Sequence, residues 1–276
     1  MQIVDFRYVR LGTRDVKAAI EFGINIIGLE HVGTENGFAY MRGDDRDHNI
    51  CYFEGDPADQ TIGFQVASMA DLEEAIADFK EGGITVERGD ENECYHRRVK
   101  AFIKFKDPGG NKLEFSVGAY SSGVRYFPGR DAGIKEMHHF GLTSTNPMSD
   151  ESFWQKYMKM QVTDRIGDDV TLFTYDSAHH RGGLAKGSGP GIHHICFYVD
   201  SVDEVMKNYY YLLSKGVKIK IGPGRHATSK AIFVYFAGPD GVIYEYATGH
   251  RVVDKNALPG QYPMVGWSSC TWGSIP

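Results

Sequence analysis

The stretch Phe233-Val-Tyr-Phe-Ala-Gly-Pro-Asp-Gly-Val-Ile-Tyr-Glu-Tyr-Ala-Thr-Gly249 decides how this chain is organised, because an earlier stretch repeats it. Phe102-Ile-Lys-Phe-Lys-Asp-Pro-Gly-Gly-Asn-Lys-Leu-Glu-Phe-Ser-Val-Gly118 has the same run of aromatics, a turn and a glutamate in step, offset by 131 positions (233 − 102). That offset superposes Pro108 on Pro239, Gly110 on Gly241, Glu114 on Glu245 and, far upstream, Tyr8 on His139. An offset of 133 (193 − 60) lays Gln60-Thr-Ile-Gly-Phe-Gln-Val66 on His193-His-Ile-Cys-Phe-Tyr-Val199. Three matches in one order mean a duplicated domain.

Aromatic and β-branched runs such as 102–105 and 232–236 read as strands that end in turns at 107–110 and 238–241. Apolar residues at helical spacing predict helices over 16–27, 71–80, 150–158 and 202–214. Each copy then runs strand, helix, several strands, twice over. The expected fold is α+β, two tandem domains of two βαβββ modules each. The domains are expected at 1–125 and 135–250, joined by a Gly-rich linker near 121–135, with residues 251–276 as an ordered C-terminal arm.

The 276 residues carry a net charge of −6, which leaves no electrostatic footprint for nucleic acid or an anionic membrane. The first residues lack a basic segment followed by an apolar core, and no apolar run could span a bilayer, so a cytoplasmic protein is expected. The four cysteines lie far apart, without a Cys-x-x-Cys pair, and read as idle reduced thiols. Any metal must therefore be held by histidine and carboxylate. Six of the 11 histidines form three adjacent pairs, 138–139, 179–180 and 193–194, within one stretch.

In the second copy His139, His194 and Glu245 stand at comparable strand positions. Two imidazoles and a carboxylate on one face of an ion leave the other face open, the arrangement of mononuclear non-haem iron(II) oxygenases. Zinc accepts the same donors, so the set alone does not separate the two metals. The first copy has Tyr8, Thr61 and Glu114 at these places, and Glu114 alone would not hold a metal; that domain reads as scaffolding. His138 and His193 are expected to alternate onto the opposite strand face, away from the metal. His31, His48, His96 and His250 belong to no constellation.

Between the second and third ligands the chain reads Gly224-Arg-His226, seven residues, Val234-Tyr235, a turn at Gly238-Pro-Asp-Gly241, and Glu245. This resembles the signature of the type I extradiol ring-cleavage dioxygenases of the vicinal oxygen chelate superfamily, which act on catechols and biphenyl diols. The likeness extends to His139, to the 193–194 pair and to the 179–180 pair. It implies a mononuclear Fe(II), with Mn(II) as an alternative, O2 as co-substrate, a small aromatic diol as substrate and a homo-oligomer. It implies His180 as the acid–base group, with His179 as runner-up because the following glycines allow a one-residue slip. It implies His226 as a hydrogen-bond partner of the substrate oxygen and Tyr235 as the holder of the ligating diol oxygen. Gly238 and Ser229 depart from the family pattern, the first at a tolerant turn position, the second near the substrate. The rival readings are a glyoxalase-like lyase or isomerase using Zn, Ni or Co, and a non-catalytic small-molecule-binding protein of the same fold.

Overall fold

A computed structural model describes residues 1–273. Its first half contains β1 (Ile3–Thr13), α1 (Val16–Phe22), β2 (Glu30–Glu35), β3 (Phe38–Arg42) and β4 (Ile50–Glu54). It then repeats as β5 (Gln60–Val66), α2 (Met69–Glu81), β6 (Glu87–Arg88), α3 (Glu91–Arg97), β7 (Ala101–Lys106) and β8 (Lys112–Val117). The second half follows the same plan without a counterpart of α3. It runs β9 (Ile134–Ser144), α4 (Pro147–Lys156), β10 (Gln161–Ile166), β11 (Val170–Thr174) and β12 (Gly182–Lys186). Its second module is β13 (Gly191–Val199), α5 (Val202–Ser214), β14 (Ile219–Arg225), β15 (Ile232–Ala237) and β16 (Ile243–Thr248). Four βαβββ modules in a mixed α+β fold are what the repeat implied. No described helix is long and apolar enough to cross a membrane.

Helix boundaries follow their caps. Ser68 and Ser201 accept from the backbone N–H of Asp71 and Glu204 and open α2 and α5. Asn146 caps α4 with Pro147 in its first turn, so that helix begins three residues before the expected start. The helix expected over 16–27 is α-helical only to Phe22. It finishes in a π-turn (Gly23–Ile27) that ends at Gly28 in the left-handed region. The unforeseen α3 is opened by a capping box in which Asp90 and Glu93 exchange side chain-to-backbone bonds.

Each half forms one sheet. The first has the order β2-β3-β4-β1-β5-β8-β7-β6, centred on the antiparallel β1–β5 pair. The second has β10-β11-β12-β9-β13-β16-β15-β14 about the antiparallel β9–β13 pair. The arm adds β17 (Gly260–Tyr262) beside β10 and β18 (Trp272–Gly273) beside β14, at opposite edges, with α6 (Gly266–Ser269) between them. The arm thus straps one edge of the second sheet to the other.

Alternation along the strands sends one face of each sheet to a large shared core and the other to a concave interior. Phe6, Phe64, Phe140 and Trp154 meet across the two halves, with Phe6 and Phe140 edge-to-face at 5.0 Å. Burying each such ring contributes about 1.5–3 kcal/mol, so the two sheets are held firmly together. On β16, Tyr244 and Tyr246 face that core, and Glu245 lies between them on the opposite, concave side.

Candidate metal centre

The three central strands of the second sheet carry the candidate ligands side by side. In register, Cys196 of β13 pairs with His139 of β9 on one side and Glu245 of β16 on the other, and His194 lies two residues before it. His139 Nε2 is 3.0 Å from Glu245 Oε2, and His194 Nε2 is 3.5 Å from the same oxygen. Glu245 has no solvent exposure. His139 Nε2, His194 Nε2 and both Glu245 oxygens are buried without a hydrogen bond of proper geometry among the described residues. Buried polar atoms left unpaired cost free energy. Four converging on one point, from two imidazoles and a carboxylate, fit a divalent cation. Burial raises the Glu245 carboxyl, but His139, His226 and His194 outweigh it and hold it well below the usual carboxylate range.

Ring nitrogens of His138, His139 and His250 also cluster, as do His139, Cys196 and Glu245. Burial and the neighbouring Glu245 keep the Cys196 thiol protonated, a poor donor beside neutral imidazole. The set His139, His194 and Glu245 needs no such deprotonation.

His138 and His193 do not turn away as strand alternation would require. Register shifts fall at His138–His139 on β9 and at His193 on β13, and these bulges insert an extra residue. Each first histidine consequently lies beside its neighbour, Nδ1 to Nδ1 at 2.8 Å. A ligand imidazole bonding through Nε2 carries its proton on Nδ1 and needs an acceptor there. Burial holds His138 and His193 below the ordinary histidine value, so both are neutral and can accept.

A cavity of about 300 Å³ opens on this cluster, lined by His180, His194, His226 and Tyr235. Its apolar wall comes from Ile166, Val170, Leu172 and Leu184, and the arm contributes Ser269 and Cys270. The arm's Trp267 and Trp272 are half exposed and do not line it. His226 Nδ1 donates to the Ser269 carbonyl at 2.8 Å, which leaves Nε2 to face Tyr235 OH at 3.2 Å and Glu245 Oε1 at 3.5 Å. The His180 ring lies 4.1 Å from that of His139. His179 is turned from the cavity toward Asp164, 2.7 Å away.

Four further contributors escaped sequence reasoning. His250 stacks on His138 at 4.4 Å and lies 5.5 Å from His139 and His180. Asp164 is a buried carboxylate of β10 with no motif around it. Ser269 belongs to an arm without periodicity. Gly141, opposite His194, has no side chain because a Cβ there would stand 2.5 Å from the His194 ring. The signal was present for Gly141 alone, in the run His139-Phe-Gly141. Gly238 has a similar local reason: a Cβ would meet the Tyr244 ring at 2.4 Å. Ser229 is buried on the cavity wall.

In the first half Tyr8 OH donates to Glu114 Oε2 at 2.7 Å, and Arg97 holds both carboxylate oxygens at 2.6 and 2.8 Å. The guanidinium, 4.0 Å over the Phe102 ring, supplies the positive charge this carboxylate needs.

A family model described as the Glyoxalase/Bleomycin resistance protein/Dioxygenase superfamily matches residues 6–115 and 136–246. The chain is 26% identical, over 99% of its length and 97% of the relative, to an iron-dependent extradiol dioxygenase of Rhodococcus jostii. Among solved structures, BphC, a halotolerant catechol dioxygenase, superposes with a TM-score of 0.90 at 23% identity, covering 99% of this chain and 94% of that one. The Mn(II)-bound glyoxalase from Novosphingobium aromaticivorans superposes at 0.87 with 24% identity, covering 100% and 92%.

Proposed function

Because the chain belongs to the glyoxalase/bleomycin resistance protein/dioxygenase superfamily, we propose that its second half is the catalytic centre of an extradiol dioxygenase opening a catecholic ring. The observation that carries this reading is the convergence of unpaired His139, His194 and Glu245 atoms on a cavity that also presents His180, His226 and Tyr235. His139, His194 and Glu245 would hold Fe(II), or Mn(II) in its place, which would supply Lewis acidity toward the diol and a redox path between the aromatic ring and O2.

The chain's own groups do the rest. The apolar wall seats one aromatic ring and excludes water, which strengthens every charge interaction inside. Burial, with His139 next, holds His180 well below the ordinary histidine value, so it stands neutral, able to take a diol proton and return it later. Tyr235 OH, whose own ionisation burial and Glu245 push far up, stays a donor and would hold a diol oxygen. His226, fixed by Ser269, faces the same oxygen.

The glyoxalase among the structural neighbours keeps a lyase or isomerase as the second reading. Such chemistry would leave His180, His226 and Tyr235 without a task. Anaerobic loading with Fe(II), then a catechol and O2, is expected to give a yellow ring-fission product with one O2 consumed per diol. Turnover restored by Zn or Ni without oxygen uptake would overturn the proposal. His194→Ala is expected to lose iron as well as turnover, and full iron occupancy in that variant would refute the ligand set.

A further inference from the structure

We propose that Asp164 and His179 form a hydrogen-bonded relay that fixes which nitrogen of His180 carries its proton, making both positioning residues of the reaction. The proposal rests on the reading of His180 as the acid–base group.

Asp164 is buried, and its Oδ2 lies 2.7 Å from His179 Nε2 and 2.9 Å from Arg251 Nη2. Its Oδ1 accepts from the Gly260 N–H of the arm at 3.1 Å. Burial alone would raise this carboxyl, but His179 and Arg251 draw it below its ordinary value, so it is ionised and can only accept. His179 must then donate through Nε2. Burial keeps that imidazole below its ordinary value despite Asp164, so it carries one proton, and its Nδ1 is an acceptor. His180 Nδ1 lies 2.9 Å from that acceptor and therefore holds the proton of its own ring. The lone pair of His180 is left on Nε2, which makes no hydrogen bond among the described residues.

Removing the carboxylate removes the constraint. A His179 protonated on Nδ1 would face His180 with a donor, drive the His180 proton to Nε2 and leave the base without a lone pair toward the substrate. The other two histidine pairs lack this device. His138 Nε2 has its nearest carboxylate, Glu136, at 3.9 Å, and no described carboxylate reaches His193. Among the described residues, only the pair at 179–180 is anchored by a carboxylate at its far end. Arg251 and Gly260 belong to the arm, so the same carboxylate ties the strap to the relay.

Two measurements test this. In the zinc-loaded, diamagnetic protein labelled with 15N-histidine, two-bond proton–nitrogen correlations are expected to show His179 as Nε2–H and His180 as Nδ1–H. In Asp164→Asn the downfield His179 proton is expected to vanish and the His180 tautomer to become mixed. The opposite tautomers in the wild type would overturn the proposal. In the iron enzyme, His179→Leu is expected to lower kcat about 100-fold or more at unchanged iron content and KM. His179→Asn, whose amide oxygen can stand where Nδ1 stood, is expected to restore kcat to within about tenfold of the wild type. Leu and Asn variants with equal kcat would also overturn the relay, even where Asp164→Asn fails to fold. His180→Gln separates the layers: full turnover there refutes the role of His180 itself. Loss there with unimpaired His179→Leu refutes only the relay.

Discussion

Replacing Arg97 with Met tests whether a guanidinium stands in for a cation in the first half. Glu114, 2% exposed, accepts from Arg97 Nε and Nη2 and from Tyr8 OH. After Arg97→Met a single phenol remains to satisfy a buried charge. A lone carboxylate at that depth takes up a proton instead. Holding a carboxyl neutral at pH 7, against an ordinary value near 4.3, costs roughly 3.5 kcal/mol. Loss of the guanidinium over Phe102 adds about 1 kcal/mol, partly offset by the apolar packing of Met. The expected loss is therefore about 3–5 kcal/mol at pH 7, in the range of a broken buried ion pair. The neutralisation cost falls by about 1.4 kcal/mol per pH unit, so urea unfolding at pH 5 should show the penalty smaller by roughly 2.5 kcal/mol. Arg97→Met combined with Glu114→Leu removes the charge and should recover most of the stability. A single-variant loss below about 1 kcal/mol, or a double variant no better than the single, would refute the reasoning.

Two further outcomes follow from geometry elsewhere. Gly141→Ala places a Cβ 2.5 Å from His194 Nδ1 and should weaken metal affinity by about 10–100-fold, read by chelator competition, while the unfolding midpoint of the metal-free protein changes little. Burial pushes Asp107 up to about 6 despite its hydrogen bonds from Asn111, so the folded chain binds the extra proton between about pH 4 and 6. Stability should fall through that window as pH rises, by roughly 3 kcal/mol from this group, and Asp107→Asn should flatten the slope in a pH series of urea midpoints.

The repeat made the module plan readable because each strand spends alternate residues on one shared core, a constraint that leaves a period in the sequence. His139, His194 and Glu245 were readable for a related reason: a ligand must occupy a definite phase of its strand. Bulges break that phase. The extra residues at His138 and His193 have no local marker, so strand alternation assigned both rings to the wrong face. Asp164 was invisible because its meaning lies in partners at His179, Arg251 and Gly260, two of which come from the arm. An arm held at its two ends by short edge strands buries too little to impose a pattern on its own sequence.

The two halves differ most in what occupies their concave faces. Between β6 and β7 the first half inserts α3, which delivers His96 and Arg97 inward and sets the guanidinium on Glu114 beside Tyr8 and Phe102. Between β14 and β15 the second half has only the short turn 226–231, so His226 stands at the rim and space remains in front of Glu245. The same carboxylate position therefore meets two ways of being neutralised. A tethered guanidinium saturates both oxygens permanently, although space lined by Thr61, Arg97 and Glu114 remains in front of it. A bound ion held by two imidazoles and one carboxylate keeps a face open. The open metal face is on the second half, and it is there that the arm crosses from edge to edge and adds Ser269 and Cys270 to the cavity wall.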